Sequence, residues 1–288
     1  MFITKDFTDF AVLDTGDGMK LEQWGKYILA RPDPQVIWPK QRPDLWERAA
    51  AVYHRSKEGG GQWEFREKLP ERWIIRYHGL SFYVKPTGFK HTGLFPEQAV
   101  NWNFMMERIR ACSFQPNILN LFGYTGGATV ACAAAGARVT HIDAAKSING
   151  WARENLELSG LGDAPVRILA DDCMRFVERE KRRGVQYDGI VMDPPSYGRS
   201  TGGVFRSNDN LYELVRRAAA LLSDRAIFFL VNSYTTNLSS VVTSNICRIV
   251  LPPKNSRIEH GDLALTIRGQ QVLLPCGTTT RWYALHVQ

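Results

Sequence analysis

The sequence predicts an α/β fold, in which a doubly wound, mostly parallel sheet is preceded by a small β-rich domain. Three observations lead to this prediction. After residue 105, strand-like and helix-like segments alternate regularly, and a glycine-rich turn follows the first of those strands. Before residue 105, the chain is rich in aromatic residues and turns. We therefore expect a domain over residues 1–105 and a second domain over residues 106–288.

Most segments of the small domain are predicted to be strands. "FAVLDTGDGMKLEQWGKYILA" (10–30) is interpreted as two strands around the turn signal "TGDG", and "PDLWERAAAVYHR" (43–55) as a helix. "KEGGG" (57–61) breaks the chain. "WIIRYH" and "LSFYVKP", which are separated only by Gly79, are typical of a hairpin.

The second domain shows a β-α-β-α-β-α-β order, which favours right-handed crossovers, helices on both faces of the sheet and a ligand at the carboxyl ends of the strands. "DLALTIRG" (262–269) and "RWYALHV" (281–287) are expected to complete the sheet. The seven segments of the alternation are "NILNLF", "GATVACAAAGA", "VTHID", "KSINGWARENLELSG", "VRILADD", "CMRFVEREKRRG" and "YDGIVMD".

A glycine-rich loop, "NLFGYTGGATVACAAAG" (120–136), follows the first of these strands. Gly123, Gly126 and Gly127 allow positive φ and close backbone approach just before a helix N-terminus, whose amides attract anions. The next strand ends at Asp143, where a carboxylate can accept hydrogen bonds from ribose hydroxyls. We therefore expect an adenosine-like ligand with an anionic group. A tight turn whose glycines serve packing alone is the alternative.

Acidic residues also end the third and fourth strands. In "ADDCMRF", Asp172 could accept a hydrogen bond from an adenine amino group, and a helix cap is the alternative. In "DPPSYG" (193–198), two prolines fix φ and remove two backbone donors, so the carbonyls of Asp193 and Pro194 can point rigidly into a cleft. Such rigid acceptors suit a nucleophilic amine or a planar base, whereas a plain Asp-Pro-Pro turn is the alternative.

Composition excludes several classes of protein. The five cysteines are scattered without a C-x-x-C pair, so we expect neither disulfides nor a metal site. The longest apolar stretch, "AIFFLV", is far shorter than the roughly 20 residues of a membrane span, and the N-terminus lacks the pattern of a secretory signal. We therefore expect a cytoplasmic protein, and its net charge of +7 favours a polyanionic partner.

The segments "NLFGYTGG", "HIDAAKSINGWARENLELSG", "ADD" and "VMDPPSYG" together resemble the class I methyltransferases that use S-adenosylmethionine (SAM). The resemblance covers about residues 90–240 and implies a Rossmann-like, seven-stranded sheet. Within that superfamily the chain is most similar to the bacterial large-subunit ribosomal RNA methyltransferases, with their cytosine-C5 and guanine-modifying members. "FKHTGLFPEQAVNW" (89–102) supports this narrower match, although Pro96 and Glu97 before Gln98 are a variation.

The resemblance also implies roles for individual residues. It places Asp193 opposite the transferred methyl group. The cofactor-binding residues that it implies are Asn120, Gly123 and Gly126 at the methionine end, Asp143 at the ribose, Asp172 at the adenine, and Thr92 and Gln98 closing over the cofactor.

Two departures from the family pattern concern the acceptor atom. Cytosine-C5 enzymes need a cysteine thiolate that adds to the base, but "FLVNSYTTN" has Ser233 at the corresponding place, and Cys173 is a poor substitute. Ser196 also separates the second proline from Tyr197, which could still stack on a flipped base. We therefore expect direct transfer to a nitrogen atom, in which Asp193 and the Pro194 carbonyl orient the acceptor.

The small domain is a candidate RNA-contacting region, because cations and aromatic rings interleave there and suit phosphate contacts and base stacking. A half-buried antiparallel sheet would show the same pattern. Other hypotheses remain open: a nicotinamide-dependent dehydrogenase, a noncatalytic RNA-binding protein, and a methyltransferase for a small molecule or a protein. The oligomeric state is also open, with a homodimer among the alternatives. The interleaved residues are Trp63, Phe65, Arg66, Lys68, Arg72, Trp73, Arg76, Tyr77, Phe82, Tyr83, Lys85 and Lys90.

Overall fold

Contacts divide the chain into two compact units. The larger unit comprises Met1–Phe2, Val100–Leu263 and Gly277–Gln288, and the smaller unit comprises Ile3–Ala99 and Ala264–Cys276. No helix in the described part of the chain is long and apolar enough to cross a membrane. The computed structural model describes residues 1–56, 60–200, 203–235, 238–253 and 255–286.

A late segment of the chain joins the smaller unit through backbone pairing. Ile267 forms a parallel bridge with Val12, and the amide of Arg268 donates to the Val12 carbonyl at 2.9 Å. Contacts therefore assign Ala264–Cys276 to the smaller unit, which otherwise ends at Ala99. The predicted domains, residues 1–105 and 106–288, stay a prediction.

The smaller unit contains a five-stranded sheet in the order β2-β3-β4-β5-β6 and a separate two-stranded hairpin, β7-β8. The β4–β5 pair is parallel, and the other pairs are antiparallel. The strands are β2 (Phe10–Gly16), β3 (Met19–Trp24), β4 (Tyr27–Pro32), β5 (Ala51–Arg55), β6 (Gly61–Phe65), β7 (Trp73–Tyr77) and β8 (Leu80–Val84), with 3-10 helices at Pro43–Arg48 and Pro96–Gln98.

Two predictions for this unit are wrong, and a third is confirmed. Residues 10–30 form three strands, because Gly25 adopts a left-handed φ of 63° and divides the second half into β3 and β4. Residues 43–55 do not form one helix, since Ala49 is extended after the 3-10 turn and the following residues pair with β4 and β6. The hairpin around Gly79 is confirmed. The break predicted at 57–61 lies partly outside the described residues.

The larger unit is built around an eight-stranded sheet in the order β1-β16-β17-β15-β12-β9-β10-β11. The five strands from β15 to β11 are mutually parallel, and β17 runs antiparallel to β15. The predicted fold class is confirmed, with the short N-terminal strand β1 adding an eighth strand. The strands are β1 (Phe2–Thr4), β9 (Asn117–Leu121), β10 (Arg138–Asp143), β11 (Val166–Ala170), β12 (Gly189–Met192), β15 (Phe228–Ser233), β16 (Ser256–Thr266) and β17 (Leu273–Ala284).

Helices follow the parallel strands as the alternation predicts. Phe176, Leu214 and Cys247, from three different helices, pack against Leu119 and other apolar residues of the central strands in one buried cluster. The helices are α1 (Ala99–Arg110), α2 (Gly127–Ala134), α3 (Lys146–Leu158), α4 (Cys173–Arg183), α5 (Ser207–Ala219) and α6 (Ser240–Val250), and a two-stranded hairpin, β13 (Tyr197–Ser200) with β14 (Gly203–Arg206), precedes α5.

Candidate active site

Four neighbouring parallel strands, in the order β12-β9-β10-β11, end at one edge of the large sheet. Because the carboxyl ends of parallel strands share an edge, the loops that follow them lie side by side, and ligands of such sheets bind there. The structure thus gathers six of the predicted residues at this edge: Asn120, Gly123, Gly126, Asp143, Asp172 and Asp193.

The loop after β9 owes its shape to three left-handed residues, Phe122 (φ 56°), Tyr124 (φ 50°) and Gly126 (φ 88°). Gly126 therefore behaves as predicted, but Gly123 is needed for a different reason. A Cβ atom on Gly123 would lie 2.3 Å from Cε1 of His141. Gly126 is also the N-cap of α2, where no side chain caps the helix, so the amides of the first turn are available to an anionic ligand.

Asp143, the last residue of β10, ties this loop to the sheet. Its Oδ2 accepts a hydrogen bond from the amide of Tyr124, and its Oδ1 accepts one from the amide of Ala145, both at 3.0 Å. Burial raises the pKa of the carboxyl group, against the lowering by these two amides. Each carboxylate oxygen has a second lone pair, so Asp143 can still accept from ribose hydroxyls.

A buried chain of polar side chains runs beneath the loop. Asn120 Nδ2 donates to Thr129 Oγ1 at 2.9 Å, and Thr129 Oγ1 lies 2.8 Å from Nδ1 of His141. Asn149 Nδ2 donates to the Asp143 carbonyl at 3.0 Å. Among the described residues, His141 Nε2 and Asn149 Oδ1 have no hydrogen-bond partner of ordinary geometry, although both atoms are buried. The Asn149 amide raises the pKa of the imidazole, but burial lowers it more strongly.

Burial sets the protonation state of His141. Burial lowers its pKa from 6.5 to about 4, so the ring is neutral at pH 7. If Nδ1 accepts from Thr129, the proton sits on Nε2, which then faces the acceptor oxygen of Asn149. This polar chain was not predicted from the sequence, although a Thr-His pair inside the buried strand "RVTHID" is a usable signal.

Asp172 forms the helix cap that was the alternative to a ligand contact. Its carboxylate accepts a hydrogen bond from the amide of Arg175 at 2.9 Å, at the N-terminus of α4. The neighbouring Asp171 forms an ion pair with Arg179. A capping carboxylate retains further lone pairs, so its predicted contact with adenine stays a prediction.

The loop from Asp193 to Ser196 is anchored by residues from two other segments. Ser207, the first residue of α5, donates its hydroxyl to the Pro195 carbonyl at 2.8 Å and its amide to the Ser196 carbonyl at 3.2 Å. Thr235 Oγ1 donates to Ser196 Oγ at 2.9 Å. Pro194 is buried, and Tyr197, which is 50% exposed, starts β13. Neither Ser207 nor Thr235 was predicted from the sequence.

The cysteines provide no activated thiol. Ser233, at the end of β15, is buried and its Oγ accepts from the amide of Thr235 at 3.2 Å. Cys173 is buried at the start of α4, and burial raises the pKa of its thiol. All five cysteines are free, and burial raises the pKa of each. Among the described residues, no group of three His, Cys, Asp or Glu could hold a metal ion.

Thr92 and Gln98, predicted to close over the cofactor, belong to the smaller unit, and both are buried. The hydroxyl of Thr92 is a buried polar atom that has no hydrogen-bond partner in the described part of the chain. Their role stays a prediction.

The interleaved aromatics of the small domain include core residues. Tyr77 and Phe82 are buried, as the alternative of a half-buried sheet requires. Trp63 and Trp73 are partly buried, and their indole groups donate to the carbonyls of Thr87 and Trp24. Phe65 is exposed. The pattern of aromatics is therefore largely a packing pattern.

A profile of the S-adenosylmethionine-dependent methyltransferases matches residues 46–236 of this chain, which include all four strand ends. The protein therefore belongs to the S-adenosylmethionine-dependent methyltransferase family. The resemblance seen in the sequence is confirmed, and the nicotinamide-dependent dehydrogenase is excluded.

Solved structures share the whole fold. A protein described as a SAM-dependent methyltransferase from Agrobacterium tumefaciens superimposes with a TM-score of 0.94 at 36% identity, over 98% of this chain and 92% of that one. A protein from Streptococcus mutans, described in the same way, has a TM-score of 0.74 at 19% identity, over 96% of this chain and 76% of that one.

Curated relatives act on ribosomal RNA by name. The chain is 26% identical to ribosomal RNA large subunit methyltransferase K of Neisseria meningitidis serogroup B over 251 residues. This alignment covers 82% of this chain and 68% of that protein. It is 31% identical over 174 residues to methyltransferase K/L of Shewanella frigidimarina, over 60% of this chain and 23% of that protein. The chain spans about a quarter of the length of such K/L relatives.

Proposed function

We propose that this protein transfers a methyl group from SAM to a nitrogen atom of a base in ribosomal RNA, in the cytoplasm. The observation that carries the proposal is the anchored Asp193–Ser196 loop at the carboxyl end of β12, in a chain whose thiols are all free and have a raised pKa. The names of the curated relatives support ribosomal RNA as the substrate class.

The residues at the sheet edge fit SAM. The uncapped N-terminus of α2 suits the methionine carboxylate, and a Cβ atom on Gly123 would force this loop and His141 apart. Asn120, Gly123 and Gly126 would hold the methionine end, Asp143 the ribose and Asp172 the adenine. Thr92, whose hydroxyl has no hydrogen-bond partner among the described residues, and Gln98 would close over the cofactor.

When bound, SAM supplies a methyl group already activated by the sulfonium. The protein then has to orient the acceptor and remove a proton. The Asp193 carboxylate accepts a hydrogen bond from the acceptor N–H and takes the proton that the nitrogen loses as its new bond to carbon forms. The Pro194 carbonyl is a second fixed acceptor, and Tyr197 stacks on the flipped base.

The test is methyl transfer from radiolabelled SAM to ribosomal RNA, transfer RNA and total protein from cells that lack this gene, followed by nucleoside mass analysis. Label on a base nitrogen of a single ribosomal RNA nucleoside is expected. Label on C5 would overturn the nitrogen assignment. Label in protein or in a small molecule alone would overturn the substrate class and leave the family assignment intact.

Variants at Asp193 test its role within this reaction. Asp193→Ala should bind SAM with modest loss and fail to transfer the methyl group, whereas the exposed Asp163→Ala is a control with the same change of charge just before β11, away from the site. Asp193→Asn keeps one hydrogen-bond acceptor and removes the base. If removal of the proton limits methyl transfer, the rate of this variant should rise with pH. Normal turnover by Asp193→Ala would refute the role.

A further inference from the structure

A basic pocket lies in the smaller unit, outside the segment used for the methyl-transfer site. Its volume is about 180 Å³. Leu13 and Leu45, which belong to a buried apolar cluster, line it. Among the described residues, no acidic side chain lines the pocket. The cationic side chains that line it are Lys26, Arg42, Arg48 and Arg268.

We call these four exposed cations the basic quartet (Lys26, Arg42, Arg48 and Arg268). Among the described residues none of them forms an ion pair with a carboxylate, and Arg268 Nη1 donates instead to the neutral Oε1 of Gln23 at 2.8 Å. Like charges gathered around one concave site repel each other, and a bound anion relieves this repulsion.

A buried acid, Asp14, connects two of the segments that carry the quartet. Asp14 Oδ2 accepts from the amide of Arg42 at 3.0 Å and from Trp46 Nε1 at 2.8 Å, and its Oδ1 accepts from Gln270 Nε2 at 2.9 Å. These hydrogen bonds lower the pKa of Asp14 below its ordinary value, against the effect of burial, which raises it. Asp14 thus joins the 3-10 helix, with Arg42 at its N-cap, to the late segment that carries Arg268.

The chemistry of the pocket favours a phosphate group. Three of the four cations are arginines, whose planar guanidinium groups bind phosphate in a bidentate way. Trp46 follows the lining residue Leu45, and Lys40 Nζ lies 4.2 Å from the centre of its ring, which adds a cation over an aromatic face. Cations next to aromatic rings are typical of proteins that bind nucleic acid.

We propose that the basic quartet binds a backbone phosphate of the substrate RNA. This inference rests on the proposed function, since it takes the acceptor to be RNA. Phosphate contacts position a nucleic acid without reading its sequence, so the pocket anchors the RNA and leaves selection of the base to the methyl-transfer site.

The test is RNA binding by the full chain as a function of salt concentration. Fluorescence anisotropy is measured with a labelled 30-nucleotide single-stranded RNA and with a labelled transcript of large-subunit ribosomal RNA. The variant is Arg42→Gln with Arg48→Gln. The matched control is Arg153→Gln with Arg182→Gln, which removes the same charge from exposed positions of α3 and α4. Calorimetric SAM affinity and circular dichroism confirm that both proteins are folded.

The quartet variant should bind both RNAs at least about tenfold more weakly, and the slope of log K against log salt should fall by about 0.7 for each RNA phosphate that the variant no longer neutralises. The control should lose less than about twofold. Equal affinity and equal slope in the two variants would overturn the proposal. So would competition by inorganic phosphate that depends on the quartet while RNA binding does not, because the pocket then takes free phosphate.

Failure of this inference is distinguishable from failure of the proposed function. If the wild-type protein methylates ribosomal RNA but the quartet variant binds RNA like its control, the pocket assignment alone is refuted. If label enters protein or a small molecule and no RNA, the proposed function is refuted, and the pocket assignment falls with it.

Discussion

Replacing Gly123 by Ala tests why the loop after β9 carries glycine at that position. A methyl group there lies 2.3 Å from Cε1 and 2.4 Å from Nδ1 of His141, well inside contact distance. The imidazole cannot yield cheaply, because it is fully buried and lies 2.8 Å from the hydroxyl of Thr129. Either the loop moves away from the sheet or the polar chain beneath it breaks.

The size of the effect follows from these two costs. Overpacking of a buried site costs about 1–3 kcal/mol, and loss of the hydrogen bond between Thr129 and His141 adds about 1 kcal/mol. Since 1 kcal/mol corresponds to about 2–4 °C in a domain of this size, we expect Gly123→Ala to lower the melting temperature by roughly 5–15 °C. SAM affinity should fall as well, because the displaced loop carries the N-terminus of α2.

Calorimetry measures both quantities, as thermal unfolding and as SAM binding. Gly150→Ala is the control, because Gly150 lies within α3 with no atom within 4 Å of an added Cβ, and alanine there should stabilise the helix by about 0.5–1 kcal/mol. In a His141→Ala background, the Gly123 substitution should cost much less. An unchanged melting temperature and SAM affinity for Gly123→Ala would refute the steric argument.

Three further predictions follow from named contacts. The unfolded chain protonates His141 near pH 6.5 and the folded chain only near pH 4, so stability should fall as the pH drops through this range, by about 3 kcal/mol in all, and His141→Gln should flatten the urea-denaturation profile against pH. Glu22→Gln should lower the free energy of unfolding in urea by about 3–5 kcal/mol, because it leaves the buried Arg31 guanidinium without the carboxylate that it contacts at 2.6 and 2.8 Å. The exposed Glu64→Gln should change this free energy little, and equal effects of the two variants would contradict the prediction. Ser207→Ala should lower kcat about fivefold with SAM affinity unchanged, because it frees the Pro195 carbonyl, and a fall in SAM affinity alone would contradict a positioning role.

The larger unit could be predicted from the sequence because its signals are local. Strand β12 is a short, fully buried run, and α2 begins at a glycine pair. The hydrophobic pattern and the position of the glycines therefore identify both elements without knowledge of their partners. In the smaller unit, the same reasoning gave a wrong prediction for residues 43–55. There a good helical pattern yields to pairing of Val52 with both neighbouring strands, which a single segment cannot show.

The candidate site divides in the same way. Asp143 and Asp193 could be predicted because each stands at the end of its strand in the sequence. The partners that hold the site could not, since Ser207 and Thr235 reach the Asp193–Ser196 loop from other segments, and Arg268 lies far along the chain from the rest of the basic quartet. Such contacts depend on tertiary structure and have no periodic signature.

The distribution of charge bears on how this protein would hold RNA. The carboxyl edge of the large sheet presents Asp143, Asp172 and Asp193. These carboxylates would repel a phosphate backbone, and in the proposed function they accept hydrogen bonds from ribose, adenine and an acceptor amine. An enzyme with such an edge has to attract RNA through a separate surface, and the overall charge of +7 requires cations elsewhere. We propose the basic quartet as such a surface, because its charges form no ion pair with a carboxylate among the described residues. In this proposal the phosphate contacts are separate from the methyl-transfer site, which is compatible with base flipping.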